Sequence, residues 1–262
     1  MQLHDKIALV TGAARGIGQA TAQELARAGA DVIGVDLQVD DLQETADHVT
    51  RLGRKFSGFA CDISDEHAVR DLINSLSQNG GFDVIINNAA VLPSGPFLER
   101  DFSVWRKAID INLLGLMALT HAALPILLKR PQAHIVNIAS IAGKFGTEGV
   151  AAYAASKHGV VGFSSALCFE LEGTSVGVSW ICPSMVNTRM AVGVPRHLLT
   201  PMAQPEDVAR AIRRAIETNA GEVFVPGRVR FWVSILPAVL PGVARFISSW
   251  SGASRGWLTR KT

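Results

Sequence analysis

Two kinds of apolar pattern alternate along the chain. Short runs with little polar interruption lie at residues 6–10, 31–36, 55–60, 84–90, 134–140, 176–183 and, shorter, 222–226. Between them, at 18–28, 40–52, 66–78, 102–129, 150–171 and 205–218, apolar positions recur every three or four residues, as on an amphipathic helix. Strands that do not alternate apolar with polar are buried on both faces, which requires a parallel sheet covered by helices. Asp65 or Ser64 is placed to cap the third helix, and Gly29, Gly53 and Gly173 follow helix ends where a left-handed residue is wanted. The strict alternation predicts an α/β, doubly wound parallel sheet of Rossmann type with right-handed crossovers. It predicts one domain over residues 1–226 and a C-terminal apolar, basic extension over 227–262.

Composition narrows the function classes. The chain has 262 residues, 48% hydrophobic and 18% charged, enough apolar material for a large core. A net charge of +2 excludes a strongly basic nucleic-acid footprint, so no nucleic-acid partner is expected. Cys61, Cys168 and Cys182 match no zinc or redox spacing, and the seven histidines form no ligand cluster, so no metal site is expected. The first residues carry no secretory pattern, and the longest apolar stretch, 113–128, is interrupted by Thr120 and His121. It reads as a buried helix, and the protein as cytoplasmic.

Candidate chemistry begins where the first strand runs into Thr11-Gly12-Ala13-Ala14-Arg15-Gly16-Ile17-Gly18 and then a helix. Glycines there permit a tight turn and close backbone approach to a diphosphate, which the free N–H groups of the new helix attract. The spacing is GxxxGxG, not the usual GxGxxG. Asp36 closes the second strand, where a carboxylate accepts from ribose hydroxyls and repels a 2′-phosphate. Arg15 pulls the other way, but Leu37 adds no second cation, so the expected cofactor is NAD, with NADP disfavoured. Asp62 reads either as a contact to the adenine edge or as a turn cap.

The only tyrosine of the chain lies in Tyr153-Ala154-Ala155-Ser156-Lys157. Residues four apart share a helix face, so the phenol and the ammonium stand one turn apart. A nearby positive charge is expected to lower the phenol pKa and to make Tyr153 a proton donor or acceptor. Ser140 closes the fifth strand and Asn87-Asn88-Ala89 the fourth, at the sheet edge where ligands of open parallel sheets bind.

Together, TGAARGIG, Asp62, Asn88 in NNA, Asn112, Ser140 and the Tyr153/Lys157 pair resemble the short-chain dehydrogenases/reductases over roughly residues 5–226. The resemblance implies a catalytic set of Asn112, Ser140, Tyr153 and Lys157. Ser140 would bond the substrate oxygen, Tyr153 would exchange the proton, Lys157 would lower its pKa and hold the nicotinamide ribose, and Asn112 would anchor a water-linked relay to the lysine. It implies cofactor contacts from Gly12, Arg15, Gly16, Ile17, Gly18, Asp36, Asp62, Asn88, Tyr153, Lys157 and Thr188. Residues 183–188 would lie against the nicotinamide, although Ser184 stands where the family usually has glycine.

On the substrate side, Met185, Val186, Met190, Val192, Val194, Leu198 and Leu199 read as an apolar lid over residues 184–200 or as packing on the sheet, and residues 93–97 as another wall. The extension carries Trp232, Trp250 and Trp257 and no acid. It reads as a pocket cover, a subunit interface or a peripheral membrane contact. It is similar to the tails of family members acting on steroids and retinoids. The expected activity is NAD-dependent oxidation and reduction of a lipophilic secondary alcohol or ketone by a homodimer or homotetramer. A 3-oxoacyl thioester reductase and a catalytically silent nucleotide-binding protein are the rivals.

Overall fold

The computed structural model describes residues 1–191, 202–240 and 242. Seven strands, β1 (Ile7–Thr11), β2 (Asp31–Asp36), β3 (Phe56–Ala60), β4 (Val84–Asn87), β5 (Ala133–Ile138), β6 (Val176–Pro183) and β7 (Glu222–Val225), form one sheet. Its order is β3-β2-β1-β4-β5-β6-β7, and every pairing is parallel. The helices are α1 (Gly16–Arg27), α2 (Gln43–Arg51), α3 (Glu66–Gln78), α4 (Phe102–Ile109), α5 (Leu116–Leu127), α6 (Ala151–Glu170), α7 (Pro205–Thr218) and α8 (Leu236–Val239).

Side chains of a strand alternate between faces, and here both faces are dry. Ala8 and Val10 of β1 join α1 and α7 residues such as Leu25, Ile212 and Ile216 in one core. Leu9 points the other way, into a second core with Leu72 and Leu76 of α3, Leu119 of α5 and Leu167 of α6. This is the doubly wound, Rossmann-type architecture expected from the pattern. Asp65 caps α3 by accepting from the backbone N–H groups of His67 and Ala68. Gly29, Gly53 and Gly173 all have positive φ, as their places beyond helix ends require.

The stretch expected as one helix over 102–129 is α4 and α5 joined by a π-helical segment, Asp110–Gly115. A Cβ on Gly115 would stand 2.6 Å from the Ile63 carbonyl oxygen, so the glycine lets this helix press against the loop after β3. Residues Phe102–Leu127 make the one helix among the described residues that is long and apolar enough to cross a membrane. It flanks the sheet, with Trp105, Leu119, Ala123 and Leu127 buried.

A chain of buried polar side chains ties the layers together. The Asn87 amide on β4 donates to Thr120 Oγ1 on α5 (2.9 Å) and to Asn137 Oδ1 on β5 (2.7 Å), and Asn137 in turn donates to Ser164 Oγ on α6 (2.8 Å). At the opposite edge of the sheet, His134 lies buried beside Ser179. The Ser179 hydroxyl donates its one proton to the Ala220 carbonyl, so His134 must donate from Nε2 to Ser179 Oγ (2.8 Å). Burial, helped by the N-terminal ammonium, pushes its pKa down to about 4.

That shift predicts an acid-sensitive fold. The folded pKa lies below the unfolded value of about 6.5, so the unfolded chain takes up the proton first. The contribution of His134 to stability is present above about 6.5 and is lost as pH falls toward 4. Urea unfolding across this window should show a steeper loss of stability in the wild type than in His134→Gln; parallel curves would refute the assignment.

Candidate active site at the carboxyl edge of the sheet

The strand order reverses between β1 and β4, and chains leaving those two strands diverge to opposite faces. A crevice opens there, as in other open parallel sheets. It holds a cavity of about 630 Å³ lined by Gly12, Arg15, Gly16, Ile17, Asp36, Asp62, Asn88, Ser140, Tyr153, Lys157 and Thr188, among others. Every cofactor residue expected from the sequence except Gly18 faces this space, and Gly18 shapes its floor: a Cβ there would stand 2.0 Å from the Gly12 carbonyl oxygen.

At one end of the cavity the residues suit a dinucleotide. Helix α1 begins without a side-chain cap and with no acid in its first turn, so its N-terminal N–H groups are free to receive an anion. Gly12 and Gly16 have φ of +64° and +58°, and a Cβ on Gly16 would press on Thr188 Cγ2 at 3.2 Å. The Asn88 amide donates to the carbonyls of Thr11 (2.8 Å) and Gly12 (3.2 Å), holding the glycine turn from below. The Thr45 hydroxyl donates to the Ala13 carbonyl (2.8 Å), a second tether absent from the sequence reading.

Asp36 is anchored by the backbone N–H groups of Ala14 (3.0 Å) and Leu37 (2.9 Å), which fixes its carboxylate at the cavity mouth. Arg15 is exposed at the same mouth. Asp62 caps its turn through Oδ1, which accepts from the backbone and hydroxyl of Ser64; these bonds hold its carboxyl below the usual range. Since Oδ2 is not used in this turn and Asp62 lines the cavity, the two readings of this residue are compatible.

At the other end stand the residues of candidate catalysis. Ser140 follows β5, and its Oγ accepts from the Ala142 N–H (3.1 Å) in the short turn Ile141–Gly143. Tyr153 and Lys157 face the cavity from the first turns of α6, the ammonium 5.8 Å from the phenol ring centre. Lys157 is only 3% exposed and donates from Nζ to the Ile138 carbonyl (2.6 Å). The lysine does not bring the tyrosine pKa below its ordinary value. Burial drives the phenol up to about 12, against a smaller opposing pull from its hydrogen bond with Ser140, and drives the ammonium down to about 8. Desolvation is the largest cause of both shifts, acting on a buried Lys157 and a half-buried Tyr153.

Asn112 lies in the π-helical segment, a frequent feature of functional sites. Its Oδ1 accepts from the Val91 N–H (2.8 Å), and its Nδ2 donates to the Val91 carbonyl (2.9 Å) and to Ser156 Oγ (3.1 Å). Ser156 then donates to the Tyr153 carbonyl (2.7 Å). The side chain therefore braces the loop after β4 against the Tyr153 turn. Its position one residue before Lys157 was the only trace of Ser156 in the sequence.

The substrate end is apolar, with Val91, Leu92, Ala142, Phe145, Val150, Met185 and Met190 facing it. The wall expected at residues 93–97 is corrected to Val91 and Leu92. Asn112 grips Val91 at the cavity, whereas the chain beyond is tied to other partners, with Gly95 N–H on the Gly149 carbonyl and Phe97 stacked on Trp105. Of the apolar lid, Met185, Val186 and Met190 line the cavity; Val192, Val194, Leu198 and Leu199 lie outside the described residues. Ser184 is buried in the cavity wall, and its N–H is held by the Val225 carbonyl (2.8 Å).

A family model described as short chain dehydrogenase matches residues 6–198. The chain belongs to the short-chain dehydrogenase family. The 3-oxoacyl-[acyl-carrier-protein] reductase FabG of Thermotoga maritima is 31% identical over 81% of this chain and 90% of its own length. The estradiol 17-beta-dehydrogenase 11 of Rattus norvegicus is also 31% identical, over 90% of this chain and 80% of its own. Among solved structures, carveol dehydrogenase from Mycobacterium avium in complex with NAD superposes with a TM-score of 0.78 at 27% identity, covering 86% of this chain and 97% of that one. This short-chain dehydrogenase is thus an NAD(P)-dependent oxidoreductase acting on CH–OH groups, with a nucleotide cofactor and a small-molecule substrate.

Proposed function

We propose that this short-chain dehydrogenase moves a hydride between NAD(H) and a lipophilic secondary alcohol or its ketone, with Tyr153 as the acid/base. The observation that carries the reading is one cavity that joins Ser140, Tyr153 and Lys157 to an anion-receptive helix end and to an apolar pocket. The bound nicotinamide supplies the hydride acceptor or donor. Ser140 holds the substrate oxygen, and Tyr153 takes the hydroxyl proton in oxidation and returns one in reduction. Lys157 stabilises the phenolate as the proton leaves and holds the nicotinamide ribose. Asn112 braces Val91 and Ser156 with its side chain and anchors a water-linked relay to Lys157. Gly12, Gly16, Ile17, Gly18 and Thr188 cradle the diphosphate, with Asn88 beneath them. Asp36 takes the adenosine ribose, Asp62 the adenine, and Arg15 stands at the mouth.

The preference for NAD rests on Asp36, whose anchored carboxylate opposes a 2′-phosphate. The second reading, a 3-oxoacyl thioester reductase, is favoured by the similarity to the Thermotoga maritima enzyme. A turnover screen over steroid, retinoid, long-chain secondary alcohol and 3-hydroxyacyl thioester substrates separates the two. Activity confined to the thioesters would overturn the first reading.

The assembly proposed is a homodimer or homotetramer. Leu114, Met117 and Leu128 on the helix pair flanking the sheet, and Phe169 on α6, leave apolar surface exposed for a symmetry mate. The body is placed in the cytoplasm, with peripheral membrane association through residues 227–262.

Three outcomes test these statements. Tyr153→Phe should lower kcat by about 10²–10⁴-fold with cofactor binding nearly intact; retention of more than roughly a tenth of the activity, with chemistry rate-limiting, would remove Tyr153 from its role. The wild type should favour NAD over NADP by at least about tenfold in kcat/KM, and Asp36→Ala should narrow that ratio. Equal use of both cofactors by the wild type would show that Arg15 governs the mouth. Sedimentation at micromolar concentration should give a dimer or tetramer, and a stable monomer would exclude the assembly.

A further inference from the structure

After β7 the chain enters an arm that is built into the body on one side only. Val229 and Val233, four residues apart, are 1% and 6% exposed and pack with Ala139, Ile141 and Phe145. Those three residues also line the catalytic cavity, so the arm lies one side-chain layer from it. Its other face carries Phe231, Trp232, Ile235, Val239 and Leu240, each between 41% and 68% exposed. Phe231 and Trp232 meet edge to face at 5.3 Å, and Arg228 and Arg230 are exposed beside them. In sequence, residues 227–262 hold six Arg and Lys and no Asp or Glu, a charge of +6. The whole chain sums to +2, so the remainder carries −4.

A second exposed apolar point lies in a connection that leaves the same edge of the sheet. Phe97 and Leu98, 53% and 94% exposed, follow the carboxyl end of β4 as the arm follows that of β7, and the cavity opens along this edge. Glu99 and Asp101 are exposed next to Leu98, so attraction to an anion comes from the arm.

We propose that this rim is a docking surface for an anionic lipid bilayer, with the arm's aromatic face in the lipid interface and the cavity mouth turned toward it. Amphipathic segments with aromatic and basic residues bind such interfaces, and the charge asymmetry matches anionic headgroups. A second copy of this chain is a poor occupant, because an isologous contact would set the exposed Arg228 and Arg230 of one copy against those of the other. The proposal rests on the lipophilic-substrate reading and adds the route: the substrate passes between bilayer and pocket without crossing bulk water.

The test is co-sedimentation of the full, NAD-loaded protein with phosphatidylcholine vesicles with and without phosphatidylserine. The wild type should pellet only with the anionic vesicles, and less as salt rises. Phe231→Ser/Trp232→Ser should weaken binding about tenfold or more, since each loses a large apolar burial. Leu98→Ser should weaken it less, and both should keep wild-type turnover of a short, water-soluble secondary alcohol. Equal pelleting of all three proteins, no binding to anionic vesicles at low salt, or a smaller sedimenting species in the double variant would overturn the proposal. Binding without turnover of any lipophilic alcohol in detergent would leave the surface standing and sink the functional reading; turnover without binding would do the reverse.

Discussion

Everything at the active edge hangs from the parting of β1 and β4. Where two adjacent parallel strands send their chains to opposite faces, the ladder stops and backbone groups lose their partners. Thr11 and Asn88 close that gap. Thr11 Oγ1 accepts from the N–H groups of Asn88 and Ala89, both at 3.0 Å, while the Asn88 amide returns to the carbonyls of Thr11 and Gly12. The glycine turn, the uncapped end of α1 and the crevice between the strands all depend on this knot. It also explains why Gly12 tolerates no side chain: a Cβ would stand 2.9 Å from the Asn88 amide nitrogen.

The same economy of buried polar groups organises the candidate catalytic end. A lysine 3% exposed is costly to keep out of water, and it and the half-buried Tyr153 are each held by a definite partner. The Ile138 carbonyl receives the Lys157 ammonium, and Ser140 meets the phenol. The turn after Ser140 is itself tied down from outside: Lys144 pairs with Glu222 on β7 at 3.0 Å, and the same carboxylate oxygen accepts from the Trp180 indole. Through Ile141, that turn also rests on the inner face of the C-terminal arm. The proposed lipid contact and the proposed chemistry thus share a wall.

Asn112 shows how one residue serves fold and site together. The π-helical segment that carries it interrupts the long helix beside the sheet, and Gly115 makes the close approach to Ile63 possible. From that position the amide holds Val91 at the cavity and, through Ser156, the turn that presents Tyr153. On the neighbouring helices, Trp105, Leu119 and Leu127 are buried against the body, while Leu114 and Met117 stay exposed.

The chain's apolar pattern by itself determined the seven strands, the helices between them and the doubly wound sheet, because periodicity reports directly which faces are dry. Local signatures (glycine turns, a strand-end aspartate, a tyrosine four residues from a lysine) marked residues that the fold brings to one cavity. Several decisions belonged to tertiary structure alone. The direction of the Tyr153 and Lys157 pKa shifts depends on how deeply both are buried, which residue spacing does not encode. The wall of the pocket moved from residues 93–97 to Val91 and Leu92 because Asn112, distant in sequence, grips that loop. The inner and outer faces of the arm were distinguished only when Val229 and Val233 met Ile141 and Phe145. Long-range contacts set burial, and burial sets both electrostatics and which apolar residues remain free to meet another surface.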